Sequence, residues 1–191
     1  MSLYDLIVTR RSIRQFRAEP IPQEILRDVV NAGRLAPSAA NRQPLEFIVV
    51  DKADKKELVF PCLKWAGYIA PDGNPKLGQE PQAYIVVLVN NAIREKGFEW
   101  DSGAALENMI LAAWEKGIGS CWIISMEKER VKELLGVPDS HKIDSVLALG
   151  YPAETPVAED LVDSVEYWKD DEGCLHVPKR KLSDVIHVNE F

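Results

Sequence analysis

The chain has 191 residues, is 46% hydrophobic and carries a formal net charge of −7, which is enough apolar material for one sizeable domain with its own core. The acidic balance argues against nucleic acid as a partner, and no apolar run approaches the roughly 20 residues that cross a bilayer. Cys62, Cys121 and Cys174 are far apart, odd in number and without a CxxC pair, so neither a disulfide framework nor a zinc site is suggested. The N-terminus lacks a charged-then-apolar signal segment, and a cytoplasmic protein is the expectation.

Leu3, Leu6 and Ile7 share one face of a predicted helix over 2–10, with Ser2 as its N-cap. Pro20 and Pro22 then break the chain and start a second helix. Ile25, Leu26, Val29, Val30 and Gly33 give that helix an apolar stripe, and Pro37 stops it. The short β-branched run 46–50 reads as a buried strand, followed by a charged helix over 52–59. The run 83–89 is apolar on both faces, the mark of a strand in a sheet covered on both sides. A long helix is predicted over 98–116, closed by Gly117. Its centre is apolar nearly all round, which points to burial on several faces and hints at a partner subunit. A strand over 119–124, a helix over 128–135 closed by Gly136, and a last strand over 145–150 complete the apolar part. Residues 157–191 are polar and lack a long apolar period. They read as a frayed tail or a wrapping arm, with Trp168, Val177, Leu182, Val185 and Ile186 arguing for docking. Helices outweigh the strands interleaved with them, so the class is α+β or α/β.

Four segments could carry chemistry. Arg10, Arg11 and Arg14 cluster at the end of the first helix, and arginine forks suit bidentate phosphate contact; the same cations would also suit a helix C-terminus. Ser12 adds a hydroxyl. A second basic group, Lys179, Arg180 and Lys181, is a solvated charge run by itself, but with the first it could close around one phosphate. The loop Pro37-Ser38-Ala39-Ala40-Asn41-Arg42-Gln43-Pro44 offers small residues for close backbone approach, and Asn41 and Gln43 each bring a donor and an acceptor, as a heterocycle edge requires. It reads equally as an ordinary turn. The segment Gly117-Ile118-Gly119-Ser120-Cys121-Trp122 is no GxGxxG fingerprint and follows no strand, which rules out a Rossmann dinucleotide site. His141, His176 and His187 are scattered and form no metal pattern, and Asp170, Asp171 and Glu172 read as a solvated turn. Cys121, in an apolar run, reads as inert core. No nucleophile motif exists, so no protein-borne catalytic group is assigned, which fits an enzyme whose reactive atom belongs to a cofactor.

In order and spacing, these four segments resemble the nitroreductase family. The resemblance spans nearly the whole chain and implies an α+β three-layer sandwich, a central mostly antiparallel sheet flanked by helices. It also implies a single domain over 1–191 in a domain-swapped homodimer, with 157–191 wrapping the partner and the long helix in the interface. It implies FMN between the subunits, NADH or NADPH as electron donor and a small-molecule acceptor, by a ping-pong reaction through flavin N5. Arg10, Arg11 and Ser12 would contact the phosphate and ribityl chain, and Arg14 the N1 and O2 edge. Pro37, Ser38, Ala39, Asn41 and Gln43 would form the segment donated by the partner beneath the ring. Ile123 and Ile124 would face N5 and O4, and Lys179, Arg180 and Lys181 would complete the phosphate site. Leu45 stands where an aromatic often follows the Gln-Pro pair, and Ile124-Ser125 replaces a glycine-containing turn. The Gly- and Pro-rich stretch 65–81 is expected to form a lid or acceptor wall with Trp65 and Tyr68, and Asn74 near the flavin. The expected activity is reduction of nitroaromatics, quinones or similar acceptors. Reductive dehalogenation, flavin reduction, flavin destruction and flavin storage are the alternatives.

Overall fold

The computed structural model describes residues 2–191. Helix α1 spans Leu3–Thr9 and opens on a capping box, in which Ser2 Oγ accepts from Asp5 N at 3.1 Å and Asp5 accepts from Ser2 N at 2.8 Å. Then follow α2 (Gln23–Arg34), β1 (Leu45–Val50), α3 (Ala53–Val59), β2 (Ala83–Asn90), α4 (Glu99–Glu115), β3 (Gly119–Ile123), α5 (Lys128–Leu135) and β4 (His141–Gly150). The four strands form one antiparallel sheet in the order β1-β2-β4-β3.

Strand periodicity separates the two cores. In β2, Tyr84, Val86 and Leu88 face one side, packing with Val59, Cys121, Val131 and Val146 beneath α3 and α5. Ala83, Ile85 and Val87 face the other, against Leu26 and Val29 of α2 and Leu106, Met109 and Ala113 of α4. Helices on both faces make the three layers expected, and account for a strand that is apolar throughout. Helices α2 and α4 approach closely because Gly33 has no side chain: a Cβ there would lie 2.8 Å from Met109 Cγ.

Two expectations are revised. The last strand of the main sheet starts at His141, not Ser145, because its polar first half still pairs with β2 up to Asn90. The 157–191 region is not an irregular tail. It folds into β5 (Val157–Asp160), β6 (Trp168–Lys169) and β7 (Leu175–Lys179), with β5 parallel and β6 antiparallel to β7. Backbone pairing needs no apolar period, and only Leu175 among these strand residues is buried.

Two apolar faces stay open within the chain. No residue of α1 is buried, and Leu3 is 66% exposed. On α4, Leu111, Ala112 and Trp114 are only half-buried.

Candidate functional site

The basic segment leaves α1 at Arg10 in extended conformation and runs along the outer edge of β3. Ile13 and Phe16 are fully buried and anchor it. Ile13 N donates to Ser120 O at 2.8 Å and Arg17 N to Tyr151 O at 2.8 Å. Two glycines make room: a Cβ on Gly119 would lie 2.7 Å from Ile13 Cγ1, and one on Gly150 would lie 2.6 Å from Phe16 Cδ1. Glu154 Oε1 accepts from the backbone N–H groups of Arg14 at 2.5 Å and Gln15 at 3.2 Å. The pinned backbone leaves Arg10, Arg11, Ser12 and Arg14 half-buried on one stretch of edge.

The arginines there are under-compensated. The Nε atoms of Arg10, Arg11 and Arg14 are buried without a hydrogen-bond partner. The nearest acid to Arg10 Nε is Glu107 Oε1 at 3.9 Å, beyond hydrogen-bond range. Burial, and secondly the neighbouring Arg10, hold the Arg11 guanidinium below its ordinary pKa. Three unpartnered donors on clustered arginines suit an anion with several oxygens. The Arg14 guanidinium lies over the Tyr167 ring, 5.2 Å from its centroid, and Tyr167 meets Tyr68 edge-on at 4.9 Å.

The loop between α2 and β1 is a separate construction. Ser38 donates to Asp101 Oδ2 at 2.6 Å and accepts from Gln43 N at 2.9 Å, while Ala39 N donates to Asp101 Oδ1 at 3.0 Å. Within this tied loop Ala40, Asn41 and Gln43 have φ of 54°, 52° and 52°, a left-handed conformation costing about 1–2 kcal/mol for residues such as alanine and glutamine and less for asparagine. Pro37, Ser38 and Gln43 line a cleft with Gly33, Asp101 and Ala105.

The remaining expected residues fall into place unevenly. Ile123 ends β3 facing the core, and Ile124 beyond it is 58% exposed. Lys179, Arg180 and Lys181 are exposed at the end of β7, with Arg180 donating to Asp184 O at 2.5 Å. Trp65 is core, 8% exposed and 5.9 Å from the Phe60 ring, so it walls no open surface; Tyr68 is the exposed member of the pair. Asn74 holds its own loop: its carbonyl accepts from buried Gln15 Nε2 at 2.9 Å, and Gln15 Oε1 accepts from Lys76 N at 2.9 Å. Lys169 Nζ donates to Asp72 O at 2.9 Å, so the small sheet is tied to the 65–81 stretch.

One expectation about the histidines is corrected. His176 is not isolated, and Asp170 is not merely solvated: Asp170, Cys174 and His176 bring ligand-type atoms within 4.8 Å of one another. Both ring nitrogens are nonetheless engaged, Nδ1 with Glu159 Oε2 at 2.9 Å and Nε2 with Asp170 Oδ2 at 3.2 Å. The Glu159 bond, then the Asp170 bond, raises the His176 pKa. Burial pushes the Cys121 thiol up, against a smaller pull from Arg14, in keeping with an inert core thiol.

Sequence reasoning missed Asp101, Glu154, Gln15 and Tyr167. For Asp101 a signal existed, since it shares the four-residue stripe of Ala105, Met109 and Ala113 on α4, where an acid is out of place. The others act through partners distant in sequence.

The basic segment and the 38–43 loop lie by opposite edges of the sheet, β3 and β1. Three strand spacings, on the order of 14 Å, separate those edges.

Residues 7–151 match the sequence profile of the nitroreductase family. A Methanothermobacter thermautotrophicus protein, named provisionally as an NADH dehydrogenase/NAD(P)H nitroreductase, is 32% identical over 169 residues, covering 85% of this chain and 84% of that protein. The iodotyrosine deiodinase of Thermotoga neapolitana is 26% identical over 167 residues, covering 78% and 88%. The solved structure of an FMN-dependent nitroreductase from Clostridium difficile R20291 superposes with a TM-score of 0.70 at 25% identity, covering 97% of this chain and 98% of that one. No helix among the described residues is long and apolar enough to cross a membrane.

Proposed function

The chain belongs to the nitroreductase family, and we propose that it is an FMN-dependent oxidoreductase that takes hydride from NADH or NADPH and reduces nitroaromatic, quinone or similar acceptors. The observation that carries this reading is the set of buried, unpartnered Nε donors of Arg10, Arg11 and Arg14. Clustered guanidinium groups with unpartnered donors suit a phosphate monoester. FMN supplies hydride acceptance and donation at its N5.

In this reading Arg10, Arg11 and Ser12 hold the phosphate and ribityl chain, and Lys179, Arg180 and Lys181 screen the phosphate. Arg14 would set positive charge beside the flavin, where it would favour electron uptake. Ile123 and Ile124 would offer backbone groups to the ring. The protein would contribute mainly the orientation of donor and acceptor.

The 38–43 loop comes from a second copy of the chain. Its place at the far edge of the sheet from the arginines supports a homodimer, as do the open apolar faces of α1 and α4. Tyr68 and Tyr167, beside Arg14, form the acceptor side. A second reaction on the same site, reductive dehalogenation, is supported by the similarity to the Thermotoga deiodinase.

The test is a visible spectrum of the purified protein, followed by anaerobic addition of NADH and then NADPH. Flavin bands that bleach support the proposal and identify the donor. A folded protein that is colourless and fails to take up added FMN refutes it. Bound flavin that neither nucleotide bleaches favours a storage role or another reductant.

A further inference from the structure

We infer that Asp101 is a positioning residue, whose buried carboxylate shapes the 38–43 loop for the flavin; the inference rests on the flavin reading above. Asp101 is 4% exposed, on the face of α4 that otherwise buries Ala105, Met109 and Ala113. A carboxylate there is costly unless its oxygens are used. Both are, and by one loop: Oδ2 accepts the Ser38 hydroxyl at 2.6 Å and Oδ1 accepts Ala39 N–H at 3.0 Å. The Ser38 oxygen then accepts Gln43 N–H at 2.9 Å. Asp101 thus holds the first end of the loop directly and the second through the Ser38 hydroxyl. The carboxylate sits in the first turn of α4, whose dipole favours an anion, and Arg94 Nη1 lies 4.0 Å from Oδ2.

The tie is needed because the loop is strained. Ala40, Asn41 and Gln43 are all left-handed, and none is glycine. Gln43 Nε2 bonds Asn41 Oδ1 at 3.1 Å, which aligns the two amides whose remaining donor and acceptor suit a heterocycle. Without Asp101 the backbone relaxes to an ordinary region and the amides separate. The Ser38 hydroxyl proton is already committed to Asp101, so Ser38 serves the flavin through the loop rather than by donating to it.

The test titrates FMN into flavin-free protein, following quenching of flavin fluorescence and the circular dichroism of the bound flavin. Wild type, Asp101→Ala and Asp101→Asn are compared, with the melting temperature of each without FMN. The expected result for Asp101→Ala is at least a tenfold rise in Kd and an altered flavin dichroism, with the flavin-free fold retained. Asp101→Asn, which can still accept from Ala39 N, is expected to recover part of the affinity. Wild-type Kd and dichroism in Asp101→Ala would overturn the inference. So would affinity losses that merely track a collapse of the flavin-free fold in both variants. Folded wild type that binds no FMN overturns the flavin reading, and the inference with it.

Discussion

Gly119→Ala tests how the basic segment is held. An alanine Cβ at this position would lie 2.7 Å from Ile13 Cγ1, 2.9 Å from Ile13 Cβ and 3.0 Å from Pro152 Cγ. Ile13 is β-branched, fully buried and stiff at χ1, so its Cβ can retreat only with the backbone. That backbone carries the 2.8 Å bond from Ile13 N to Ser120 O. Overpacking of this kind costs about 1–3 kcal/mol, offset by about 0.5–1 kcal/mol because alanine loses less freedom than glycine in a strand. A net loss of about 1–2 kcal/mol corresponds to a fall in melting temperature of roughly 2–8 °C for a chain of this size. Differential scanning calorimetry of the wild type, Gly119→Ala, Ile13→Ala and the double variant measures it. Ile13→Ala alone removes buried methyl groups and costs about 2–5 kcal/mol. In the double variant the 2.7 Å clash with Cγ1 is gone, while the contacts at 2.9 Å to the residue-13 Cβ and 3.0 Å to Pro152 Cγ remain, so the cost of Gly119→Ala should fall without vanishing, with a coupling of about 0.5 kcal/mol or more. A single variant as stable as wild type, or an additive double variant, would refute the claim that Ile13 rests on Gly119.

Two other outcomes follow from the site. Arg10→Ala combined with Arg14→Ala should release FMN from the purified protein; stoichiometric flavin retained through gel filtration would show that the arginines do not hold the phosphate. The His176 clamp should give a bounded pH window. His176 is raised above its ordinary 6.5, so its contribution is complete below 6.5 and lost as pH rises through the higher folded value. Trp168 and then His176 lower Glu159 from 4.5, and His176 and then the Cys174 N–H lower Asp170 from 3.8. Their contribution is present above those ordinary values and lost as pH falls through the depressed ones. The difference in melting temperature between wild type and His176→Gln should therefore peak between about pH 4.5 and 6.5, and a difference independent of pH would contradict the clamp.

Local signals made most of the main domain legible. The apolar stripe of α2, the two-faced run of β2 and Gly117 and Gly136 closing α4 and α5 each follow from side-chain periodicity or a left-handed φ, at 75° and 65° for the two glycines. The small sheet after residue 157 was hidden because its strands are held by backbone pairing and leave no apolar pattern. Trp65 resembled a ligand-facing aromatic in a Gly- and Pro-rich stretch, yet it packs among Val59, Cys62 and Leu63.

Residue chemistry and spacing along the chain determined which segments could meet a phosphate or a heterocycle, and the class of fold that carries them. The arginines, the Ser38–Gln43 loop and the alternating apolar runs are properties of neighbours in sequence, within reach of local reasoning. Only the tertiary structure decided what those segments are tied to: Ile13 against Gly119, Glu154 under Arg14, Gln15 across the 74–76 loop, and Asp101 beneath Ser38. It also set the arginines and the loop by opposite edges of one sheet. The physical reason is that a buried charge or a strained loop is stabilised by partners more than 60 residues away, in the case of Asp101 and Ser38, and no periodicity records which distant partner the folded chain will bring.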